Sequence, residues 1–180
     1  IVIVHGGSHA TTELARALGH PPKFIQSVSG RPSRRTDRQT LEAMAMACAG
    51  GMNTSIVETL RRAGVDAVGL SGVDAGLVRA NRRPPVKVDG ESVDYGYVGD
   101  IVSIDTTVLR KQLDAGLMPV VSPISSDDSG MVLNINADTV AAALGAALGA
   151  EKLILCTGAP GILERRDDPR SLVSYTDLAG

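Results

Sequence analysis

The sequence has almost no aromatic residues: they make up 2% of its 180 residues, and tryptophan is absent. Proteins that bind single-stranded nucleic acid stack bases on aromatic side chains, so this scarcity argues against such a surface. The net charge of −2 also lacks the basic excess that is typical of nucleic-acid-binding domains. No apolar run reaches the roughly 18 residues of a membrane-spanning helix. We therefore expect no nucleic-acid partner and no membrane partner.

Cysteine is also scarce, and a signal-peptide pattern is missing. Cys48 and Cys156 lie far apart in apolar contexts without metal-ligand spacing, so we expect both to pack in the core and predict no metal site. The missing signal peptide favours a cytoplasmic location. The chain begins at Ile1 inside an apolar stretch, and we expect it to be part of a longer polypeptide.

Apolar strands alternate with helical patterns along the chain. Buried strands are predicted at residues 1–4, 65–70, 118–122 and 152–156, with a short extended stretch at 132–135. Helices are predicted at residues 11–18, 37–62, 106–115 and 139–148. This alternation predicts an α/β fold: a three-layer α/β/α sandwich around a mostly parallel sheet, forming a single domain over residues 1–180.

Two connecting regions and one helix have distinctive composition. Residues 23–32 are rich in Ser, Gly and Pro and are expected to be irregular, whereas residues 77–99 contain Asp89-Gly90, which predicts an inserted β-hairpin flap. The centre of the helix at 37–62 is small and apolar nearly all round. Such a helix either crosses the core or contacts a partner subunit, and a helix at a dimer interface would do both.

The segment His5-Gly6-Gly7-Ser8 directly follows the first predicted strand. Glycine lets backbone N–H groups approach an anion closely, so this turn is a candidate cradle for phosphate. A tight turn between a strand and a helix explains the same residues. The segment is neither the dinucleotide fingerprint nor a P-loop, because the spacing of both motifs is missing.

Three further segments carry candidate binding residues. Asn134, Asn136 and Asp138 stand at the entry to an apolar helix, where they can bind a substrate or simply cap the helix. Arg34 and its neighbour at 35 offer guanidinium groups for a carboxylate, or form a solvated basic turn. Residues 157–161 follow a predicted strand at its carboxyl end, where open α/β sheets bind ligands.

Taken together and in this order, these segments resemble the amino acid kinase family and, within it, the acetylglutamate kinase group. The similarity covers nearly the whole chain. The matching segments are residues 2–7, 33–37, 68–76, 96–103, 134–138 and Pro160-Gly161. The resemblance implies an enzyme that transfers the terminal phosphoryl group of ATP, bound with Mg²⁺, to the side-chain carboxylate of an N-acylated acidic amino acid such as acetylglutamate. The product would be an acyl phosphate of arginine biosynthesis.

The resemblance also implies roles for individual residues. Gly6 and Gly7 match the glycines that face the transferred phosphoryl group, and Asp138 matches the aspartate that organises the catalytic lysines. Arg34 and Asn134 match the residues that bind the amino-acid substrate. The nucleotide-side loop corresponds to Thr157, Gly158 and Gly161. These assignments suit phosphoryl transfer, which depends on positioning and charge neutralisation.

Departures from the family pattern leave alternatives open. Ser8 replaces a third glycine, and Gly158 replaces a polar residue of the nucleotide loop. The two lysine motifs of the family are absent, which keeps a non-catalytic nucleotide-binding module or an inactive fragment as alternatives. Residues 19–22 and 33–38 resemble kinases of lysine biosynthesis that act on aminoadipate or glutamate linked to an acidic amino-group carrier protein, and Arg82 and Arg83 could contact such a carrier.

Overall fold

The computed structural model describes residues 1–26, 32–88, 90–158, 161–165 and 167–175. The strands are β1 Ile3–Val4, β2 Lys23–Gln26, β3 Pro32–Arg35, β4 Ala67–Ser71, β5 Val78–Arg82, β6 Val86–Val88, β7 Glu91–Val93, β8 Gly99–Ile104, β9 Met118–Ser122, β10 Ile124–Ser126 and β11 Val132–Asn134. The helices are α1 Ser8–Ala17, α2 Arg38–Met44, α3 Asn53–Arg62, α4 Thr107–Asp114 and α5 Ala137–Leu148. None of the helices in these ranges is long and apolar enough to cross a membrane.

The centre of the fold is a parallel sheet in the order β1-β9-β4. Val4, Val121 and Leu70 lie side by side in register, and all three belong to the main hydrophobic core on one face. Successive residues of a strand point to opposite faces, so Val120 and Gly69 face the other side. The sheet therefore has two faces to cover.

Helices cover both faces of this sheet. On one face, Leu109 of α4 and Val140 and Leu144 of α5 pack into the main core with Val121. On the other face, α3 packs against β4 and β9. This arrangement confirms the predicted α/β/α sandwich.

A second sheet extends the first where the chain passes through Pro123 from β9 into β10. Its order is β11-β10-β5-β8, with only β10 and β5 parallel. The predicted flap at 77–99 divides accordingly: β5 pairs with β8 inside this sheet, and only β6 and β7 form a separate hairpin. The second sheet brings β8 and β11 to the side of the glycine turn that follows β1.

One continuous helix, made of α2, a π-helical segment Ala45–Met52 and α3, forms the predicted helix at 37–62. Asp37 caps it by accepting a hydrogen bond from the Thr40 N–H at 2.9 Å. Half of its apolar centre is buried, including Ala47 and Cys48, and the other half is exposed. The exposed residues, called here the apolar helix face, are Met46, Ala49, Gly50 and Gly51.

Two predictions about secondary structure are wrong. Part of the region expected to be irregular forms the antiparallel hairpin of β2 and β3. Residues 152–156 form no strand and are exposed along their whole length, because no described strand lies beside them to pair with their backbone. Cys48 is buried as expected, but Cys156 is exposed, so its predicted place in the core is also wrong.

Candidate active site

A cavity of about 660 Å³ opens where the glycine turn, the β2–β3 hairpin and the start of α5 meet. Five of the eight predicted site residues line it: Gly6, Gly7, Arg34, Asn134 and Asp138. They come from segments up to about 130 positions apart in the sequence. The fold therefore brings together the residues that the sequence pattern singled out separately.

The glycine turn joins two helix starts. Gly7 is the residue before the first turn of α1, and none of the described side chains caps that helix. A Cβ placed on Gly6 would lie 3.7 Å from the Ala137 Cβ, at the first residue of α5. The start of a helix carries partial positive charge because its peptide dipoles are aligned, and two such starts reinforce each other. The floor of the cavity is therefore suited to an anion.

Gly7 also lies directly against the long helix. A Cβ at this position would come within 2.5 Å of the Cys48 Sγ, so only glycine fits there without displacement. Cys48 is itself fully buried and lies 3.7 Å from the Thr11 Oγ1 of α1. Burial raises the pKa of the Cys48 thiol, while Thr11 and Arg34 act in the opposite direction. Packing against Cys48 therefore requires a glycine at position 7, independently of any phosphate that binds there.

The start of α5 is capped by Asn136, whose Oδ1 accepts hydrogen bonds from the Asp138 N–H at 2.7 Å and the Thr139 N–H at 3.3 Å. The capping interpretation of Asn136 is therefore confirmed. Asp138 is exposed at the cavity, and no described Lys or Arg forms an ion pair with it. Its carboxylate remains available to a group that approaches the cavity.

Arg34 reaches from β3 to the start of α1. Its Nη2 donates to the Ser8 carbonyl and Ser8 Oγ at 3.1 Å and to the Thr12 Oγ1 at 2.9 Å. The guanidinium lies over the Phe24 ring, 5.0 Å from its centroid, and its Nη1 is buried without a partner in the described part of the chain. Burial lowers the pKa of Arg34, against an opposing effect of Cys48. Arg34 is held firmly and still has donors to offer.

Asn134, the last residue of β11, lines the same cavity as Arg34. Its Nδ2 donates to the buried Thr36 Oγ1 at 3.1 Å, and its backbone N–H donates to the Tyr97 carbonyl at 2.8 Å. These bonds fix the carboxamide beside the cavity. A fixed carboxamide can bind a polar substrate group without first losing conformational entropy.

Sequence reasoning missed several lining residues. Phe24, the only phenylalanine of the chain, supports the Arg34 guanidinium, but it lies in the region expected to be irregular. Arg83 and Asp100 form an ion pair at the cavity, with the Arg83 Nε 3.1 Å from both carboxylate oxygens. Their separation in sequence hides this pair, which only the β5–β8 ladder reveals.

The three predicted nucleotide-side residues are not part of this cavity lining. Thr157, Gly158 and Gly161 lie on an exposed stretch beyond residue 152. Residues 159 and 160 of the same loop lie outside the described residues. Because residues 152–156 form no strand, the loop does not follow the end of a sheet strand as expected. The nucleotide role of these residues stays a prediction.

The described ranges contain no group of three His, Cys, Asp or Glu side chains that could hold a metal ion. Among the described residues that line the cavity there is no lysine. Of the two carboxylates that the described residues contribute to the lining, Asp100 is already paired with Arg83. A magnesium ion would therefore fit here only as a companion of the nucleotide phosphates, not as an ion held by these side chains alone.

Comparisons with known proteins find similar sequences over nearly the whole chain. Residues 1–178 match the model of the Amino acid kinase family. The chain is 44% identical to an acetylglutamate kinase of Methanopyrus kandleri, over 96% of this chain and 68% of that protein. It is 42% identical to a [LysW]-aminoadipate kinase of Deinococcus radiodurans, over 96% of this chain and 61% of that protein.

A solved structure supports the fold. The Streptococcus mutans protein smu.665 superimposes with a TM-score of 0.76 at 33% identity, covering 91% of this chain and 62% of that one. The chain spans between 58% and 68% of the length of several curated acetylglutamate kinases that it matches. The similarity therefore reaches nearly every residue of this chain but only part of each relative.

Proposed function

Because this chain belongs to the amino acid kinase family, we propose that it forms the acceptor-binding part of an ATP-dependent kinase that phosphorylates a side-chain carboxylate. The preferred substrate is an N-acylated acidic amino acid, acetylglutamate. The observation that carries the proposal is the meeting of two helix starts and the Arg34 guanidinium at one cavity of about 660 Å³. In one cavity, the helix starts can bind a phosphoryl group and the guanidinium can bind a carboxylate.

In the proposed reaction, a carboxylate oxygen of the substrate attacks the terminal phosphorus of ATP, and the bond to the departing ADP breaks. The attacking carboxylate is already ionised at neutral pH, so no protein base has to remove a proton. ATP with its Mg²⁺ supplies the phosphoryl group and part of the charge neutralisation. The residues of this chain have to bind and orient the reactants.

Each lining residue has a distinct proposed task. The backbone of Gly6 and Gly7 faces the transferred phosphoryl group, where the partial charges of the α1 and α5 starts favour an anion. Arg34 binds the α-carboxylate with the donors that Ser8 and Thr12 do not use. Asn134 holds the amide of the substrate, and Asp138 orients cationic groups supplied from beyond this cavity.

The proposal is tested by steady-state kinetics of the full-length protein with ATP and acetylglutamate. We expect Arg34→Ala to raise the KM for acetylglutamate at least tenfold and the KM for ATP less than threefold, since a hydrogen bond to a charged group contributes about 1.5–3 kcal/mol. Lys111→Glu, an exposed change on α4, is the control and should alter neither constant. Equal effects of Arg34→Ala on both substrates would contradict the assignment.

A second candidate substrate is aminoadipate or glutamate linked to an acidic carrier protein. The similarity to the Deinococcus [LysW]-aminoadipate kinase favours it. Arg82 and Arg83 are less suited to carrier binding than their charge suggests, because they pair with Asp94 and Asp100. Arg35 is exposed and makes no direct ion pair within the described ranges, so it is the better candidate.

Turnover with free acetylglutamate and with carrier-linked substrate separates the two candidates. If the carrier is the partner, Arg35→Glu should lower turnover of the linked substrate, more strongly at low salt, because exposed charges act over about 10 Å at 0.1 M ionic strength. Lys111→Glu makes the same charge change elsewhere and serves as the control. Turnover of free acetylglutamate that is unaffected by Arg35→Glu would favour the small substrate.

We also propose that the protein is a homodimer that buries the apolar helix face. Met46 is 51% exposed there, beside Ala49 and two glycines that allow close helix contact. Ala49→Glu should dissociate the dimer in sedimentation velocity without loss of folding, whereas Thr107→Glu, at the start of α4, should leave it intact. Ala47 is unsuitable for this test because it is only 7% exposed within the chain. A monomeric wild type at micromolar concentration would contradict the proposal.

A further inference from the structure

The proposed mechanism leaves His5 without a task, although it directly precedes the glycine turn. The side chain is buried, and its closest polar neighbour across the fold is Asn53, the first residue of α3. Asn53 is 4% exposed, and its Nδ2 lies 2.9 Å from the Val120 carbonyl, 3.2 Å from the Leu70 carbonyl and 3.1 Å from the His5 Nε2. One side chain thus joins β9, β4 and the end of β1.

The orientation of the Asn53 amide follows from its partners. Carbonyl oxygens only accept hydrogen bonds, so the atom facing Val120 and Leu70 is the amino nitrogen. The amide oxygen lies over Gly69, where a Cβ would come within 1.9 Å of it. The amide therefore fits only because β4 has a glycine at this position.

The protonation of the His5 ring follows in turn. Its Nδ1 lies 2.8 Å from the Gly6 carbonyl oxygen, which only accepts, so Nδ1 carries the proton. Its Nε2 faces the amino group of Asn53, whose two hydrogens are shared among Val120, Leu70 and His5; since that group only donates, Nε2 carries no proton and acts as the acceptor. These contacts together select the neutral ring with its proton on Nδ1.

This ring holds the peptide group between Gly6 and Gly7. The described chain has no cis peptide bond, so the Gly6 carbonyl and the Gly7 N–H point in opposite directions. With its carbonyl bonded to His5, the peptide turns the Gly7 N–H away from the ring. Gly7 lines the cavity, and none of the described hydrogen bonds uses its N–H.

We propose that His5 and Asn53 are positioning residues that aim the Gly7 N–H at the transferred phosphoryl group. Asn53 selects the His5 tautomer, His5 fixes the Gly6 carbonyl, and the carbonyl sets the direction of the Gly7 N–H. This inference rests on the phosphoryl-transfer function proposed above. It assigns a task to two buried polar residues that contact neither reactant.

Two substitutions at His5 separate positioning from simple packing. An asparagine can place its amide donor near the position of Nδ1, whereas a glutamine reaches only the position of Nε2. We expect His5→Gln to lower kcat about 10- to 100-fold while both KM values change less than threefold, because misplacing one preorganised donor acts on the transition state. His5→Asn, which keeps a donor to the Gly6 carbonyl, should retain at least a third of the wild-type kcat.

The kinetic outcomes are unambiguous when the wild type is active. Equal kcat losses in both variants, or no loss in His5→Gln, would overturn the positioning role. A wild type that fails to phosphorylate any carboxylate substrate would refute the proposed function, and with it the catalytic consequence of the network. The hydrogen bonds that join Asn53, His5 and the Gly6 carbonyl are then tested by a measurement that needs no turnover.

Nitrogen-15 chemical shifts of the His5 ring provide that measurement on the full-length protein. We expect a protonated Nδ1 and an unprotonated Nε2 in the wild type. In Asn53→Ala, the ring should lose this single tautomer, and the Gly7 amide resonance should shift. If Asn53→Ala does not fold, the wild-type tautomer still decides, because a proton on Nε2 contradicts the network.

Discussion

The residues around the cavity and the stretch from residue 151 to 158 both have sequence patterns that predict a definite local structure. Only the residues around the cavity form the structure that their pattern predicts. Around the cavity, Gly6, Gly7 and Asn136 lie at helix starts, as their residue types indicate. In the second stretch, Leu153, Ile154 and Leu155 form an apolar run that is 51%, 79% and 56% exposed. The same kind of apolar run, at residues 118–122, forms β9 in the centre of the sheet.

The difference lies in where the partners of each segment come from. A cap or a glycine turn is completed by residues a few positions away, so a short sequence contains the whole interaction. A strand is stabilised only when another strand pairs with its backbone. β9 has β1 and β4 on its two sides, whereas no described strand lies beside residues 152–156.

The largest expected effect of this difference is on stability. Leu133 is fully buried in the main core, so Leu133→Ala should lower the free energy of unfolding by about 2–5 kcal/mol. Ile154→Ala removes an apolar side chain of similar size that is 79% exposed, and should change stability by less than about 0.5 kcal/mol. Urea unfolding followed by circular dichroism measures both. A large loss in Ile154→Ala would show that this stretch is packed in solution.

The second prediction concerns the glycine turn. Gly7→Ala places a Cβ 2.5 Å from the Cys48 Sγ and should displace the turn, with a kcat loss of about 100-fold in the kinase assay. The double variant Gly7→Ala/Cys48→Ala removes the collision and should recover part of this loss. Gly145→Ala on α5, where a Cβ meets nothing within 4 Å, is the control. If the double variant recovers no kcat, contact with Cys48 is not the reason that position 7 requires a glycine.

The smallest effect concerns pH and the junction between α1 and the long helix. Burial raises the pKa of Asp37, but hydrogen bonds from Thr40 and His20 outweigh it, so the pKa is lowered overall. A carboxyl group with a lowered folded-state pKa stabilises the fold above its unfolded pKa of about 4, and this contribution is lost as the pH falls through the folded value.

Asp37→Asn should therefore lower stability at pH 7 by roughly 1 kcal/mol or less and weaken the decline of stability below pH 4. Thermal melts between pH 3 and 7 measure the effect. Asp114→Asn, at an exposed aspartate of α4 that makes no side-chain hydrogen bond or ion pair within the described ranges, is the control and should leave the pH dependence unchanged. Parallel pH curves for wild type and Asp37→Asn would contradict the prediction.

Most elements of the fold were predictable because their signals are local or periodic. The strand at 118–122 and the capping by Asn136 match the expectation directly, and the helix at 37–62 differs only by its π-helical segment. The β2–β3 hairpin was missed because Ser, Gly and Pro hide the pairing of Phe24 with Arg34. That pairing also explains why Phe24 was missed at the site.

The sequence by itself determined the α/β class, the two glycine-rich and asparagine-rich helix starts, and the residues Arg34 and Asn134 as candidates for substrate binding. Only the tertiary structure decided that these groups share one cavity, that Arg82 and Arg83 are paired with carboxylates, and that Asn53 holds His5. The physical reason is the separation along the chain between the groups that interact. Residue type and periodicity specify what a segment can do within a few positions, whereas pairing, burial and charge neutralisation depend on partners that the fold brings from far along the chain.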